Sequence, residues 1–383
     1  MTKYFNAIND PRQQAKVMHN FAETIMIVVC AVIAGCDVWE DIEDYCRVKL
    51  EWFRERIRLE LKNGIPSHDT MSRIFGAMDP KEFQAQFIEW AQEASGKHAR
   101  EILSLDGKTM RGSRDGDVKP VHMVSAWANK AKAVFGQLAV EEKSNEITAV
   151  PMLLELLDIE GCIITADAMS CQKEIVSKIV GKKADYTIGL KDNQPTLCRA
   201  AQEHFASVLE NQTLYEDHPL AITKTEEKGH GRTETRIYYL CTDPDFLKLY
   251  QSDWKGLRGI GMMESRIEKN NVVTEERHYH ITSLTDVEEY ATSARSHWGV
   301  ESSLHWCLDV TFREDHSRMR ADHTAENFAV VRHIALSVLK NMDDKMSIAR
   351  RRRHCAYDDD YLEKVVSKIM AHLQPGWVTG SAK

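Results

Sequence analysis

Three acidic residues occupy positions where a bare carboxylate is costly unless its charge is put to use. Asp106 ends the apolar run Ile102-Leu103-Ser104-Leu105, and Asp167 ends another, Cys162-Ile163-Ile164-Thr165-Ala166. Glu301 falls in a stretch that reads as helix, Arg295-Ser296-His297-Trp298-Gly299-Val300-Glu301. An acid closing a buried strand needs compensation, and a bound divalent cation supplies it. Two strand-end aspartates and a helix-borne glutamate form an oxygen-rich set suited to two Mg²⁺ ions, with Mn²⁺ as substitute. Such a pair, about 3.5–4 Å apart, serves the attacking and leaving oxygens of phosphodiester chemistry. Neither His nor Cys is required.

Blander readings compete at each position. Asp106 before Gly107 is, taken alone, a turn acid. His297, Glu301 and His305 recur every four residues and would share a helix face, as in a zinc site. The order H-E-x-x-H is missing, however, and Leu308 lies on that face. The histidines therefore read as supporting or substrate-contacting groups, with Trp298 and Trp306 in the core and base stacking as the lesser alternative for them. Asp309, Glu314 and Asp315 read as salt-bridging or supporting acids rather than substitutes for Glu301.

The elements that must position these acids follow from periodicity. Residues 1–98 read as a small all-α N-terminal domain, with Ser67 or Asp69 capping a helix after the turn Gly64-Ile65-Pro66. A helix-turn-helix that binds DNA ends and a plain packing module fit this pattern equally. From residue 99 strands appear at 101–106, 121–129 and 133–140, then helix 145–157, strand 162–166, helix 172–180, strand 185–190 and helix 194–209. The order β-β-β-α-β-α-β-α is that of the ribonuclease-H fold, an α/β architecture. There the first strand and the end of the fourth lie side by side, so Asp106 and Asp167 would meet. Residues 213–284 read as a β-rich insertion with strands at 233–241, 259–269 and 276–283. One long helix, 286–308, then carries Glu301, and a closing helix spans 324–341. The catalytic domain is thus expected over 99–345, with 346–383 as a basic then acidic tail.

Composition narrows the class without deciding the partner. The chain has 383 residues, 43% of them apolar and 28% charged, as in an ordinary soluble protein. The apolar run Ile25–Cys36 is too short to span a bilayer and lacks a basic leader, so a buried helix in a cytoplasmic protein without a membrane partner is expected. Nine scattered cysteines, none in a C-x-x-C pair, read as free thiols. A net charge of −8 is unusual for a nucleic-acid binder, but Arg350, Arg351, Arg352 and Arg353 form a compact cationic cluster. Lys108, Lys191, Asn193, Gln194, His230, Arg232, Arg295 and His297 are further candidates for DNA contact, with His305 and Asp309 as supporting residues.

The chain also resembles a known family, the insertion-sequence DDE transposases of the H-repeat-associated type found beside Rhs elements. Its matching segments include Trp39-Glu40-Asp41-Ile42, Asn63 to Thr70, Asp106-Gly107-Lys108-Thr109 and Glu142 to Ile147. Further along they include Thr165 to Met169, Leu190-Lys191-Asp192-Asn193-Gln194, His230-Gly231-Arg232, His297-Trp298 and Leu304 to Val310. The resemblance implies a ribonuclease-H-like core with Asp106, Asp167 and Glu301 as metal-binding triad. It also implies double-stranded DNA, at element ends and at the target, as partner, with a homodimer in the synaptic complex. Related transposases with a β insertion carry a tyrosine, an arginine and a lysine around the glutamate. Those offsets fall here on Ala294, His297 and Leu308, with Arg295 out of register. Two other readings stay open: a metal-dependent nuclease of the same fold, and a catalytically inactive DNA-binding remnant.

Overall fold

The computed structural model describes residues 2–96, 99–114, 116, 119–140, 146–210, 220–229, 231–270 and 272–370. Six helices come first: α1 (Thr2–Asn6), α2 (Phe21–Ile33), α3 (Trp39–Val48), α4 (Leu50–Glu55), α5 (His68–Ala77) and α6 (Pro80–Ser95). Then follow β1 (Ile102–Thr109), β2 (His122–Ala128), β3 (Ala133–Val140), α7 (Glu146–Leu156), β4 (Ile163–Ala166), α8 (Lys173–Gly181), β5 (Asp185–Leu190) and α9 (Pro195–Glu210). Four long strands come next, β6 (Leu220–Gly229), β7 (Arg232–Cys241), β8 (Gly259–Lys269) and β9 (Val272–Thr282), with the one-turn α10 (Pro244–Leu247) between β7 and β8. The chain closes with α11 (Val287–Val300), α12 (Thr324–Lys340), α13 (Ile348–Tyr357) and α14 (Asp359–Met370). Among the described residues no helix is long and apolar enough to cross a membrane.

Local chemistry sets several of these boundaries. Asn20 accepts from the Glu23 amide at 2.9 Å and starts α2, whose apolar run is buried throughout. Ser67, not Asp69, caps α5. Asp79 caps α6, with Pro80 in the first turn where its missing N–H costs nothing.

The chain divides into two compact units, Met1–His98 with Gly107–Asn145 and Glu301–Lys383, and Ala99–Asp106 with Glu146–Val300. The first is built on α12, which is buried along almost its whole length. A helix buried on all sides must be covered on all sides, and the N-terminal helices do part of this. Phe328 meets Trp39 and Phe75 at ring-centre distances of 5.4 and 6.4 Å. The Asn327 amide donates to the carbonyls of Phe75 and Met78. Helices α3 and α5 therefore share a core with α12. In the same unit β2 and β3 form an antiparallel hairpin, and β2 neighbours β1, whose last residues belong here.

Within the presumed tail, residues 348–370 form α13 and α14, and this corrects part of the arginine cluster. Arg351 is 6% and Arg352 4% exposed. Arg352 donates to Asp37 at 2.6 Å and to the carbonyls of Val32 and Thr311. Arg351 donates to Asp344 at 2.9 Å and to the carbonyls of Leu339, Met342 and Asp344. Both guanidiniums are saturated by internal acceptors and present nothing to DNA, whereas Arg350 and Arg353 are exposed. Lys108 is corrected likewise. Its ammonium, 11% exposed, lies 2.6 Å from Asp309, 2.5 Å from Glu314 and 3.6 Å from Asp315.

The second unit is a sheet ordered β1-β4-β5-β9-β8-β7-β6. The pairs β1·β4 and β4·β5 are parallel, and the insertion strands are antiparallel. The core is ribonuclease-H-like with a β-rich insertion. Sequence periodicity misses β6 because it is an exposed outer strand; its Lys224, Glu226, Glu227 and Lys228 give no apolar alternation. Helix α11 packs so closely on β8 that the Tyr290 ring fills the space a Cβ at Gly261 would take. All nine cysteines are free, and eight are buried.

Two stability measurements check this packing. Gly261→Ala should cost about 1–3 kcal/mol in urea unfolding, the usual price of overpacking a filled core. Arg352→Ala leaves Asp37 and two carbonyls without their cation and should cost about 3–5 kcal/mol. A loss under about 1 kcal/mol in either variant would contradict the packing described.

Candidate active site

The register of β1 against β4 decides where the two aspartates stand. Ile102 pairs with Ile163, Leu103 with Ile164, Ser104 with Thr165 and Leu105 with Ala166. Asp106 and Asp167 are the next residues on two adjacent parallel strands. Side chains alternate along a strand, so each aspartate shares the sheet face of the hydroxyl residue two positions earlier.

That face carries a row of hydroxyls running across four strands. Ser104, Thr165, Thr187 and Thr282 are consecutive register partners on β1, β4, β5 and β9. Thr165 Oγ1 donates to Ser104 Oγ at 3.0 Å, and the hydroxyls of Thr187 and Thr282 lie 3.1 Å apart. Helix α11 is bonded to the row along its length. Ser293 Oγ donates to Thr187 Oγ1 at 2.8 Å, Ser104 Oγ to the Ser296 carbonyl at 3.4 Å, and His297 Nδ1 lies 3.3 Å from Thr165 Oγ1. Buried hydroxyls need partners, so the row fixes both the rotation and the axial position of the helix. Burial lowers the pKa of His297, partly opposed by the charge of Asp167.

Asp167 is exposed and caps the short turn Ala168–Ser170, accepting from the Ser170 amide at 3.3 Å. The loop after β5 holds this turn from outside. Asn193 Nδ2 donates to the Ala168 carbonyl at 2.5 Å, and Gln194 Nε2 to the Cys171 carbonyl at 2.9 Å. A Cβ at Gly189 would stand 3.0 Å from the Ala168 nitrogen, so any larger residue would press on the turn and shift it by a few tenths of an ångström. Asn193 and Gln194, read from sequence as DNA contacts, thus spend these amides on the turn that presents Asp167. Lys191 is exposed at the end of β5.

Glu301 directly follows Val300, the last residue of α11, and is exposed. The helix expected over 286–308 forms and runs on to residue 311, but its winding changes after Val300. From Glu301 to His305 and from Cys307 to Thr311 the backbone widens into π turns, rare geometry that concentrates at functional sites. The four-residue face shared by His297, Glu301 and His305 is therefore not maintained. Burial, with Lys108 adding to it, lowers the pKa of His305 to about 4. Arg295 lies 3.4 Å from Glu227, and Arg232 lies 3.5 Å from Glu234. His230 falls outside the described residues.

The hydroxyl row was missed in sequence although a signal exists: Ser104-Leu105-Asp106 and Thr165-Ala166-Asp167 place a small hydroxyl two residues before each aspartate. Asp106 and Asp167 suit a divalent cation in donor type, being hard oxygen ligands at neighbouring strand ends. Among the described residues, no three His, Cys, Asp or Glu side chains are already gathered into a metal-binding group.

Comparison with known proteins supplies the family. Residues 97–338 match the model of the transposase DDE domain, and residues 2–91 match that of the DDE_Tnp_1-associated domain. "Putative transposase YncI" of Escherichia coli O157:H7 is 40% identical over 372 residues, covering 95% of this chain and 93% of that protein. "H repeat-associated putative transposase YhhI" of Escherichia coli K12 is 36% identical over 380 residues, covering 96% and 97%. A solved piggyBac transposase synaptic complex with hairpin DNA aligns over 97% of this chain and 81% of that one, at 11% identity and a TM-score of 0.40, too distant to bear on the fold. Matched along nearly its whole length, the chain belongs to the DDE transposases, akin to their H repeat-associated members.

Proposed function

We propose that this transposase cleaves phosphodiester bonds at insertion-sequence ends and joins the freed 3′-OH to target DNA, with Asp106, Asp167 and Glu301 as the catalytic carboxylates. The observation that carries the reading is the β1·β4 register, which brings two strand-end aspartates side by side on the face where α11 is anchored. DDE transposases use divalent metal ions, and Mg²⁺ or Mn²⁺, two per site, fits these oxygen donors. Bound there, such a pair supplies a more nucleophilic water or 3′-OH and stabilises the leaving oxygen. Asp106, Asp167 and Glu301 would hold the ions through their carboxylate oxygens. The hydroxyl row sets the height of α11 on the sheet. Asn193 and Gln194 act at one remove by holding the Asp167 turn. Exposed Lys191, Arg350 and Arg353 serve as phosphate contacts, which position DNA rather than read its sequence. Two copies would hold the two element ends.

Asp106→Asn, Asp167→Asn and Glu301→Gln each keep shape and remove the charge that retains a cation. Each should reduce Mg²⁺-dependent nicking of an end-containing duplex by more than about 100-fold, beyond the roughly 10–100-fold typical of residues that orient metal ligands. One variant cleaving at a near-normal rate would remove that residue from the triad. Strand transfer from a precut end with a free 3′-OH separates a transposase from a nuclease of the same fold.

Replacing both Asn193 and Gln194 by alanine should fall inside that roughly 10–100-fold range. The loss should be reduced at raised Mn²⁺ concentration, because the carboxylate remains and only its placement is disturbed. A loss insensitive to metal concentration would point instead to lost DNA contact.

A further inference from the structure

With Arg351 and Arg352 spent on internal acceptors, other cations must help an acidic chain hold a polyanion. In the first unit a cleft of about 400 Å³ is lined by Lys132, Lys340, Asn129, Ser303 and Trp127, with Asp344 and Arg351 at its edge. Lys132 stands in the β2–β3 turn at φ +50°, and Lys340 is the last residue of α12. Asn341 Nδ2 donates to the Ala131 carbonyl at 3.0 Å and ties the turn to the helix end, so both lysines face one cleft.

The charges in this cleft do not cancel. Asp344 is taken up by Arg351 Nε at 2.9 Å, the Met346 amide at 2.9 Å and the Tyr361 hydroxyl at 2.7 Å. Burial opposes its charge, but these three donors hold its carboxyl down to about 2. Asp344 and Arg351 therefore neutralise each other. Among the described residues no carboxylate lies within ion-pair distance of Lys132 or Lys340, and Lys340 instead sits 5.4 Å over the Trp127 ring. Burial keeps Lys340 below the usual lysine range, helped by the neighbouring charges of Lys132 and Arg351. Two uncompensated ammoniums in a partly enclosed, low-dielectric cleft concentrate positive potential there. Trp127 is 2% exposed, so it floors the cleft and offers no free face for a base. The chemistry recognised is a phosphate group.

We propose that this cleft seats a backbone phosphate of duplex DNA, with Lys132 and Lys340 as its cations. The inference rests on the transposase reading above. Its test is fluorescence anisotropy of a labelled duplex with the full-length chain over a range of salt concentrations. Each lost phosphate contact lowers the slope of log K against log salt by roughly 0.9. The double variant should reduce the slope by about 0.9, the loss of one phosphate contact, and Lys132→Gln or Lys340→Gln alone by part of that. Lys183→Gln, an exposed lysine paired with Glu160 at 3.0 Å, should leave it unchanged. Lys132 is exposed in a turn, so Lys132→Gln gives a readout even if Lys340→Gln disturbs the fold. An unchanged slope in the double variant, with wild type binding normally, overturns the cleft and leaves the transposase reading standing. Calorimetry with inorganic phosphate separates the sources: tight binding lost in the double variant, with the duplex slope unmoved, would make this a free-anion site and overturn the proposal. If the wild-type chain bound no duplex at any salt concentration, the transposase reading and this inference would fall together.

Discussion

A row of four side-chain hydroxyls is the constraint on which the rest of the site depends. Ser104, Thr165, Thr187 and Thr282 cross the sheet in register and offer a polar seam inside an otherwise apolar layer. A helix packed on such a seam cannot slide or roll without stranding hydrogen-bonding groups, each costing about 1–3 kcal/mol. An apolar interface penalises a small rotation far less, since many rotamers fill similar volume. Hydroxyl chemistry therefore supplies directional precision, while the close contact of Tyr290 with Gly261 supplies nearness. Asp106 and Asp167 inherit this rigidity because they stand two residues further along β1 and β4, the first two strands of the row.

Charge is distributed by function rather than by number. The residues that look most cationic in sequence are consumed in holding helices together: Arg352 joins residues far apart in the chain, and Lys108 balances Asp309, Glu314 and Asp315. Buried arginines of this kind trade solvation for several hydrogen bonds at once, which suits the planar guanidinium better than an ammonium. The uncompensated cations of the cleft are two lysines, compact and readily hydrated. They lie at a turn and at a helix end, where local sequence gives no warning.

How much was legible follows from which forces act locally. The strand and helix order of the core, the insertion and the meeting of Asp106 with Asp167 all follow from hydrophobic period and topology, which depend on near neighbours in sequence. β6 escaped because an exposed outer strand bears charges on both faces. The widening of the backbone after Val300 escaped because residues 301–311 carry an ordinary helical pattern, and a π turn is a matter of hydrogen-bond partner choice. The roles of Asn193 and Gln194 escaped for another reason. A side-chain amide serves a backbone carbonyl or a DNA phosphate equally well, and only the approach of β5 to the Asp167 turn decides between them. Arg351 and Arg352 looked like surface because α13 has a low apolar content, yet burial there is bought with hydrogen bonds instead of hydrocarbon.

The free cysteines give the molecule a set of internal clocks. Cys30, Cys46, Cys307 and Cys355 are buried in the first unit, and Cys162, Cys171, Cys198 and Cys241 in the second. Burial raises the thiol pKa of Cys30, Cys46, Cys171 and Cys241, so the reactive thiolate is scarce while the surrounding layer is closed. A thiol reagent then modifies each site at a rate set by how often that layer opens. Reading modification site by site turns one chain into a map of local opening free energies, with each unit reporting through its own sulfur atoms.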